Sequence, residues 1–286
     1  MTPASAPDIS TTPGIAATPG LSAGPDISAT PAEAIVRPRP VPDPALRVFL
    51  LHHAAGSHLA YTDWVAHFPD DWEVCLFEAP GRGRVAPLPA LRTAPDLAGF
   101  FIEAATGLLD TPFVLFGHSM GALVAYEAAA QLGSRGLPQP RWLGVSACEA
   151  PYDAIPGEGA GGAALHRMPA DRLRAALRAM GGMPEAVLAD DDIWALFEAR
   201  VRADFSVVET WRPRTAASEI RPPLSLFGGE DDPVVHRDDL LEWADGAEEY
   251  LGQHFFPGGH FYFEGQSAAV VGQLVRDIRT AITDVA

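Results

Sequence analysis

The sequence predicts an α/β fold: a mainly parallel sheet with helices on both faces and a helical insertion above it. From residue 47 onward short apolar runs alternate with stretches of helical periodicity, the order expected of parallel strands joined by crossover helices. One crossover, about 150–221, is far longer than a single helix needs. Residues 115–127, LFGHSMGALVAYE, read as strand, tight turn and helix.

The elements follow in chain order. Residues 1–44 hold ten of the 27 prolines among Ala, Ser, Thr and Gly, with a near-repeat, APDISTTP at 6–13 and GPDISATP at 24–31. Such a segment buries too little apolar surface to offset its chain entropy. It predicts a disordered tail over 1–44 in front of one domain over 45–286. Strands are expected at 47–51, 73–78, 113–117, 142–147, 224–228 and 250–256, and helices at about 95–109, 121–133, 237–244 and 266–283. Inside the long crossover, ADRLRAALRAMGG sets Leu173, Leu177 and Met180 at i, i+4, i+7 before a Gly-Gly stop. DDDIWALFEARVRADF sets Ile193, Phe197, Val201 and Phe205 on one side of a longer helix. Together they predict a helical lid above the C-terminal ends of the strands, where open α/β sheets bind ligands.

Composition narrows the chemistry. The 286 residues carry a net charge of −17 and contain no lysine and no asparagine. A Walker-A lysine, a Schiff-base lysine, a Ser-Lys dyad and a Cys-His-Asn triad are therefore excluded. The charge argues against nucleic acid or an anionic membrane as partner. No run of about 18 apolar residues and no signal-peptide pattern occurs, so a cytoplasmic protein is expected. Cys75 and Cys148 sit in apolar runs and are expected to be buried thiols rather than a disulfide.

GHSMG (117–121) fits G-x-S-x-G at the place where a buried strand meets a helix, the context of a nucleophile elbow. A serine hydroxyl needs a base, and the base an orienting acid, in the chain order Ser, Asp, His. His260, in FPGGHFYFEG, follows the last strand in a glycine-rich turn. The acid is expected after the preceding strand, in LSLFGGEDDPVV; Asp232 is preferred because it closes a G-x-x-D turn before Pro233, with Asp231 second. For the oxyanion hole, one N–H is expected from Met120 and the other from the loop LHHAAGS (51–57), Ala54 ahead of Ala55. His52 and His53 stand in that loop and His58 directly after it, but neither H-E-x-x-H nor a Cys/His zinc pattern occurs, so no metal and no cofactor are expected.

These residues resemble the type II (editing) thioesterases of polyketide and nonribosomal peptide assembly lines, within the α/β-hydrolase superfamily. The likeness runs from about 46 to 283 and rests on HAAGS, APGRGR, LFGHSMGALVAYE, RADF, GGEDDPV and FPGGHFYF taken together. His52 departs from a usual proline and Ala55 from a usual glycine. The resemblance implies that Ser119 is nucleophile, His260 base and Asp232 orienting acid. It implies as substrate an acyl chain on the phosphopantetheine arm of an acyl or peptidyl carrier protein.

On that view Ile193, Trp194, Phe197, Val201 and Phe205 form an apolar lid face for the chain. Arg172, Arg174 and Arg178, with Arg167, form a stripe for carrier docking, and Arg82 or Arg84 could meet the arm's phosphate, against the plainer reading of a solvated turn. The alternatives are a product-releasing thioesterase or an esterase on free small molecules and, from another class, a non-catalytic docking partner of the assembly line.

Overall fold

The computed structural model describes residues 29–150, 164–212 and 220–283. Strands β1 (Ile35–Val36), β2 (Leu46–Leu51), β3 (Trp72–Phe77), β4 (Phe113–His118), β5 (Leu143–Ser146), β6 (Leu224–Gly229) and β7 (Tyr250–Phe256) form one sheet among the described residues, in the order β1-β3-β2-β4-β5-β6-β7. All neighbours pair in parallel except β1, which runs antiparallel to β3. Strands β3 to β6 are buried along their whole length. That is why they appear in the sequence as continuous apolar runs rather than as alternations.

Successive side chains nevertheless serve two different cores, as the pleat requires. Phe49 and Leu115 pack on one face with α1 (Ala94–Ala105) and α2 (Met120–Ser134), through Phe101 and Leu123. Val48 and Phe116 pack on the other with α7 (Ser267–Thr283), through Val270 and Leu274. The start of α1 is fixed locally: Thr93 Oγ1 accepts the Asp96 N–H at 3.3 Å, with Pro95 in the first turn. After β6 the chain forms α6 (Arg237–Leu241) and a 3-10 turn to Gly246 whose Trp243 is fully buried.

Of the segment expected as a tail, residues 29–44 are described and fold onto the sheet. Residues 1–28 lie outside the described residues. Pro31–Ala34 form a 3-10 helix and β1 pairs Ile35 with Phe77 and Val36 with Leu76. Ala34, Ile35 and Val36 are buried, and Arg37 and Arg39 reach Glu73 and Asp70. Two strand residues are too few to show a period amid prolines, so the composition of the whole segment masks them.

The long crossover carries α3 (Ala170–Met180), α4 (Glu185–Ala189) and α5 (Asp191–Thr210), with residues 151–163 and 213–219 outside the described residues. Asp190 caps α5 by accepting the N–H groups of Asp192 and Ile193, each at 2.9 Å. Leu173, Leu177, Leu188, Trp194 and Val201 form a small core of their own. Cys75 and Cys148 are buried free thiols, which burial pushes up to about 12. Among the described residues no helix is long and apolar enough to cross a membrane.

Candidate active site

The centre of the site is the junction of β4 and α2. Ser119 sits there at φ 53°, ψ −119°, half-buried, directly before the first residue of the helix. A non-glycine residue resists this conformation, so something must enforce it. The two flanking glycines allow the enforcement: a Cβ on Gly117 would lie 2.1 Å from the Gly121 oxygen, and one on Gly121 would lie 2.1 Å from the Leu51 oxygen. The N–H of Ser119 donates to the Ser146 carbonyl on β5 at 2.8 Å. The serine is thus held at the C-terminal edge of the sheet, and the N-terminus of α2 begins beside it.

The acid and the histidine come from the turns after β6 and β7. His260 Nδ1 donates to Asp232 Oδ2 at 2.9 Å, with the two side chains 5% and 3% exposed. Asp232 Oδ1 accepts the N–H groups of Val234 and Val235 at 2.8 and 3.2 Å. Burial alone would raise the Asp232 pKa, but the bond to His260, the imidazole charge and those two donors outweigh it and hold the carboxyl below 3.8. An ionised Asp232 fixes the proton of His260 on Nδ1 and leaves Nε2 as the basic nitrogen. Asp231 is exposed, its N–H bonded to the Gly258 carbonyl. The two turns approach closely, since a Cβ on Gly229 would meet the Gly259 oxygen at 2.2 Å.

The loop after β2 is where the second oxyanion donor is expected, and its backbone N–H groups are engaged unequally. The Ala55 N–H is committed to Asp204 Oδ2 at 2.8 Å and that of Gly56 to the His53 carbonyl at 3.1 Å. The Ala54 N–H has no acceptor among the described residues. Of the two alanines, Ala54 is therefore the one with a donor to spare. The loop's histidines are structural: His52 Nδ1 donates to the His53 carbonyl at 2.8 Å while Nε2 accepts the Ala79 N–H at 3.2 Å. Burial lowers His52 well below 6.5 and His53 to about 4.

A second serine–histidine contact lies beneath. His118 Nδ1 meets Ser146 Oγ at 2.8 Å, and that oxygen meets the Tyr262 hydroxyl at 2.8 Å. Both residues are completely buried. No substrate reaches the Ser146 hydroxyl, so this pair supports the elbow from below.

The lid positions divide. Trp194 and Val201 are consumed by the lid's own core, Phe205 is half-buried against it, and Ile193 is 37% exposed. Phe197 alone of the five lines a cavity of about 580 Å³, with Ala55, Gly56, Val187, Arg200 and Phe263. That cavity adjoins the oxyanion loop from the lid side. Arg82 is no solvated turn residue: its guanidinium is buried against Asp204. Arg174 and Arg178 are paired with Asp191 and Glu185, whereas exposed Arg172 forms no ion pair among the described residues.

Asp204 is the residue that sequence reasoning passed over. Its signal was present, because helical spacing from Val201 sets it on the apolar side of α5, where an acid needs a partner.

Residues 46–282 match the thioesterase domain family. The chain is 29% identical over 240 residues to the gramicidin S biosynthesis protein GrsT of Aneurinibacillus migulanus, covering 83% of this chain and 90% of that protein. It is 29% identical to thioesterase PikA5 of Streptomyces venezuelae, covering 81% and 80%. Among solved structures it is similar to YbtT, the type II thioesterase of the yersiniabactin NRPS/PKS biosynthetic pathway, with TM-score 0.77, 27% identity and coverage of 87% and 99%.

Proposed function

Since this chain belongs to the thioesterase family, we propose that it acts through Ser119, His260 and Asp232 as an editing thioesterase on acyl chains carried by assembly-line carrier proteins. The observation that carries the site assignment is the buried bond from His260 Nδ1 to Asp232 Oδ2 at 2.9 Å, with the His260 ring centroid 5.0 Å from that of His118, the residue before the elbow serine. The substrate class is supported by likeness to a type II thioesterase over 87% of the chain.

Ser119 Oγ attacks the thioester carbonyl while His260 Nε2 takes its proton. The tetrahedral oxyanion accepts N–H groups from Met120 and Ala54. Collapse breaks the C–S bond, and His260 returns its proton to the departing phosphopantetheine thiolate. Water, deprotonated by the same nitrogen, then attacks the acyl-serine carbonyl; the ester C–O bond breaks, His260 returns the proton to Ser119 Oγ, and the free acid leaves. All protons pass through one imidazole, which is why its tautomer has to be fixed. No cofactor enters the reaction.

Docking of the carrier through Arg172, Arg174 and Arg178 on α3 belongs to the same reading. Acids of α5 and α4 offset two of these charges, which leaves Arg172 as the one of the three with no ion pair among the described residues. The test is mass spectrometry of an acyl-loaded carrier protein with and without the enzyme. The expected product is the free phosphopantetheine thiol, absent with Ser119→Ala. A carrier left acylated while a free ester is hydrolysed would favour the small-molecule esterase.

A further inference from the structure

The triad leaves one buried ion pair without a task. Arg82 and Asp204 side chains are each 2% exposed and meet twice, Nη1 to Oδ2 at 2.8 Å and Nη2 to Oδ1 at 2.6 Å. They lie 122 positions apart, one in the APGRGR turn after β3 and one on lid helix α5. Such a pair is weak evidence for stability, because desolvating two charges costs about what their attraction returns. What else the pair touches is more informative.

Asp204 Oδ2 also accepts the Ala55 N–H at 2.8 Å, and Arg82 Nη1 also donates to the Gly56 carbonyl at 2.9 Å. The pair therefore grips two consecutive residues of the oxyanion loop, one by its donor and the next by its acceptor. Ala55 stands at φ 63°, a left-handed conformation that an alanine keeps only where its surroundings insist. Its side chain also packs on the lid core that Val201, one turn before Asp204, helps to build. A loop fixed at residues 55 and 56 has little freedom left at residue 54.

We infer that Asp204 is a positioning residue for the oxyanion hole: paired with Arg82, it holds Ala55 in its left-handed turn and so aims the Ala54 N–H at the tetrahedral oxygen. This rests on the reading of Ser119 as nucleophile and Ala54 as donor. It ties lid and hole together, since the clamp belongs to α5 and the donor to the loop after β2.

The test uses the full chain and two variants. Asp204→Asn keeps an acceptor for Ala55 but withdraws the charge that holds Arg82. The double variant Arg82→Met, Asp204→Leu removes both charges together, an exchange that buried pairs often tolerate, and leaves the Ala55 N–H without its acceptor. Melting temperature, kcat and KM on an acyl-N-acetylcysteamine thioester, and inhibition by an alkylboronic acid, which forms a tetrahedral anion on serine, are measured together. A misaimed donor costs somewhat less than a deleted one, so kcat of the double variant should fall roughly 10- to 100-fold. Boronic acid inhibition should weaken by a similar factor while KM stays within about threefold. Asp204→Asn should show the same pattern more weakly, with kcat and boronic acid inhibition falling roughly 5- to 10-fold.

A folded double variant with kcat and boronic acid inhibition within about twofold of wild type overturns the inference, as does a rise in KM alone. If the double variant does not fold, Asp204→Asn decides on the same readouts. Hydrolysis surviving in Ser119→Ala would instead overturn the nucleophile assignment, and the inference with it.

Discussion

The elbow at Ser119 and the loop at Ala55 both hold a non-glycine residue at positive φ, 53° and 63°, but they are held by different means. The elbow is locked by backbone against backbone: Gly117, Gly121 and the Leu51 carbonyl leave the chain no alternative path. The Ala55 turn is locked by side chains from distant segments, Asp204 149 positions away and Arg82 against its neighbour. On the proposed reading, half of the catalytic machinery is thus part of the sheet, while the other half depends on the lid.

The largest effects are expected on the sheet side. Ser119→Ala should lower kcat/KM by about four orders of magnitude or more, with the melting temperature unchanged, because it deletes the attacking atom and little packing. Asp232→Asn should come next, at roughly three to four orders, because a neutral amide no longer fixes the imidazole tautomer. Asp231→Asn should stay within about twofold, since Asp231 is exposed and its N–H alone is engaged. A large loss at Asp231 with a small one at Asp232 would move the acid by one residue and leave the elbow untouched.

The same division explains what was legible beforehand. The elbow and the proposed acid and histidine turns each carry their glycines and their chemical groups within a few residues, so GHSMG, GGEDDPV and FPGGHFYF mark them in the sequence. Continuous apolar runs revealed the parallel strands because those strands are buried on both faces. The Arg82–Asp204 clamp leaves only half a trace: helical spacing puts Asp204 on the apolar side of α5, but Arg82 lies in a turn that reads as solvated, and its burial appears only once α5 lies over it. The lid face was misjudged for a related reason. Periodicity shows which side of α5 is apolar, but not that α3 and α4 consume Trp194 and Val201 before any ligand arrives.

A smaller effect, on stability, should appear on the oxyanion side in mild acid. His53 is neutral and buried, its pKa lowered from 6.5 to about 4. The unfolded chain binds this proton near 6.5, while the folded chain refuses it until about 4. Stability is thus fully present above pH 6.5 and is lost as pH falls from there to about 4, by up to about 3 kcal/mol from this residue. His52 and His118 add to the loss in the same direction. Urea unfolding midpoints measured from pH 7.5 to 4 should fall, and fall less steeply in His53→Gln. Equal slopes would show that the loop does not carry this acid sensitivity.

The smallest single effect is expected from Ala55→Gly, and it discriminates most finely between the two modes of locking. Left-handed backbone costs alanine roughly 1–2 kcal/mol and glycine almost nothing. Against this, glycine adds about 0.4–1 kcal/mol of entropy to the unfolded chain. The single variant should therefore unfold within about 1 kcal/mol of wild type, and with the clamp intact its kcat should change by less than about twofold. Once Asp204→Asn has loosened the clamp the balance differs. An alanine then relaxes out of the turn, leaving on the order of a tenth of molecules competent, whereas a glycine occupies left-handed and right-handed backbone about equally. Ala55→Gly should accordingly raise the kcat of Asp204→Asn severalfold, a non-additivity expected only of residues acting on one conformation. The same substitution falling additively on both backgrounds would mean that Asp204 acts on the site by some route other than the Ala55 turn.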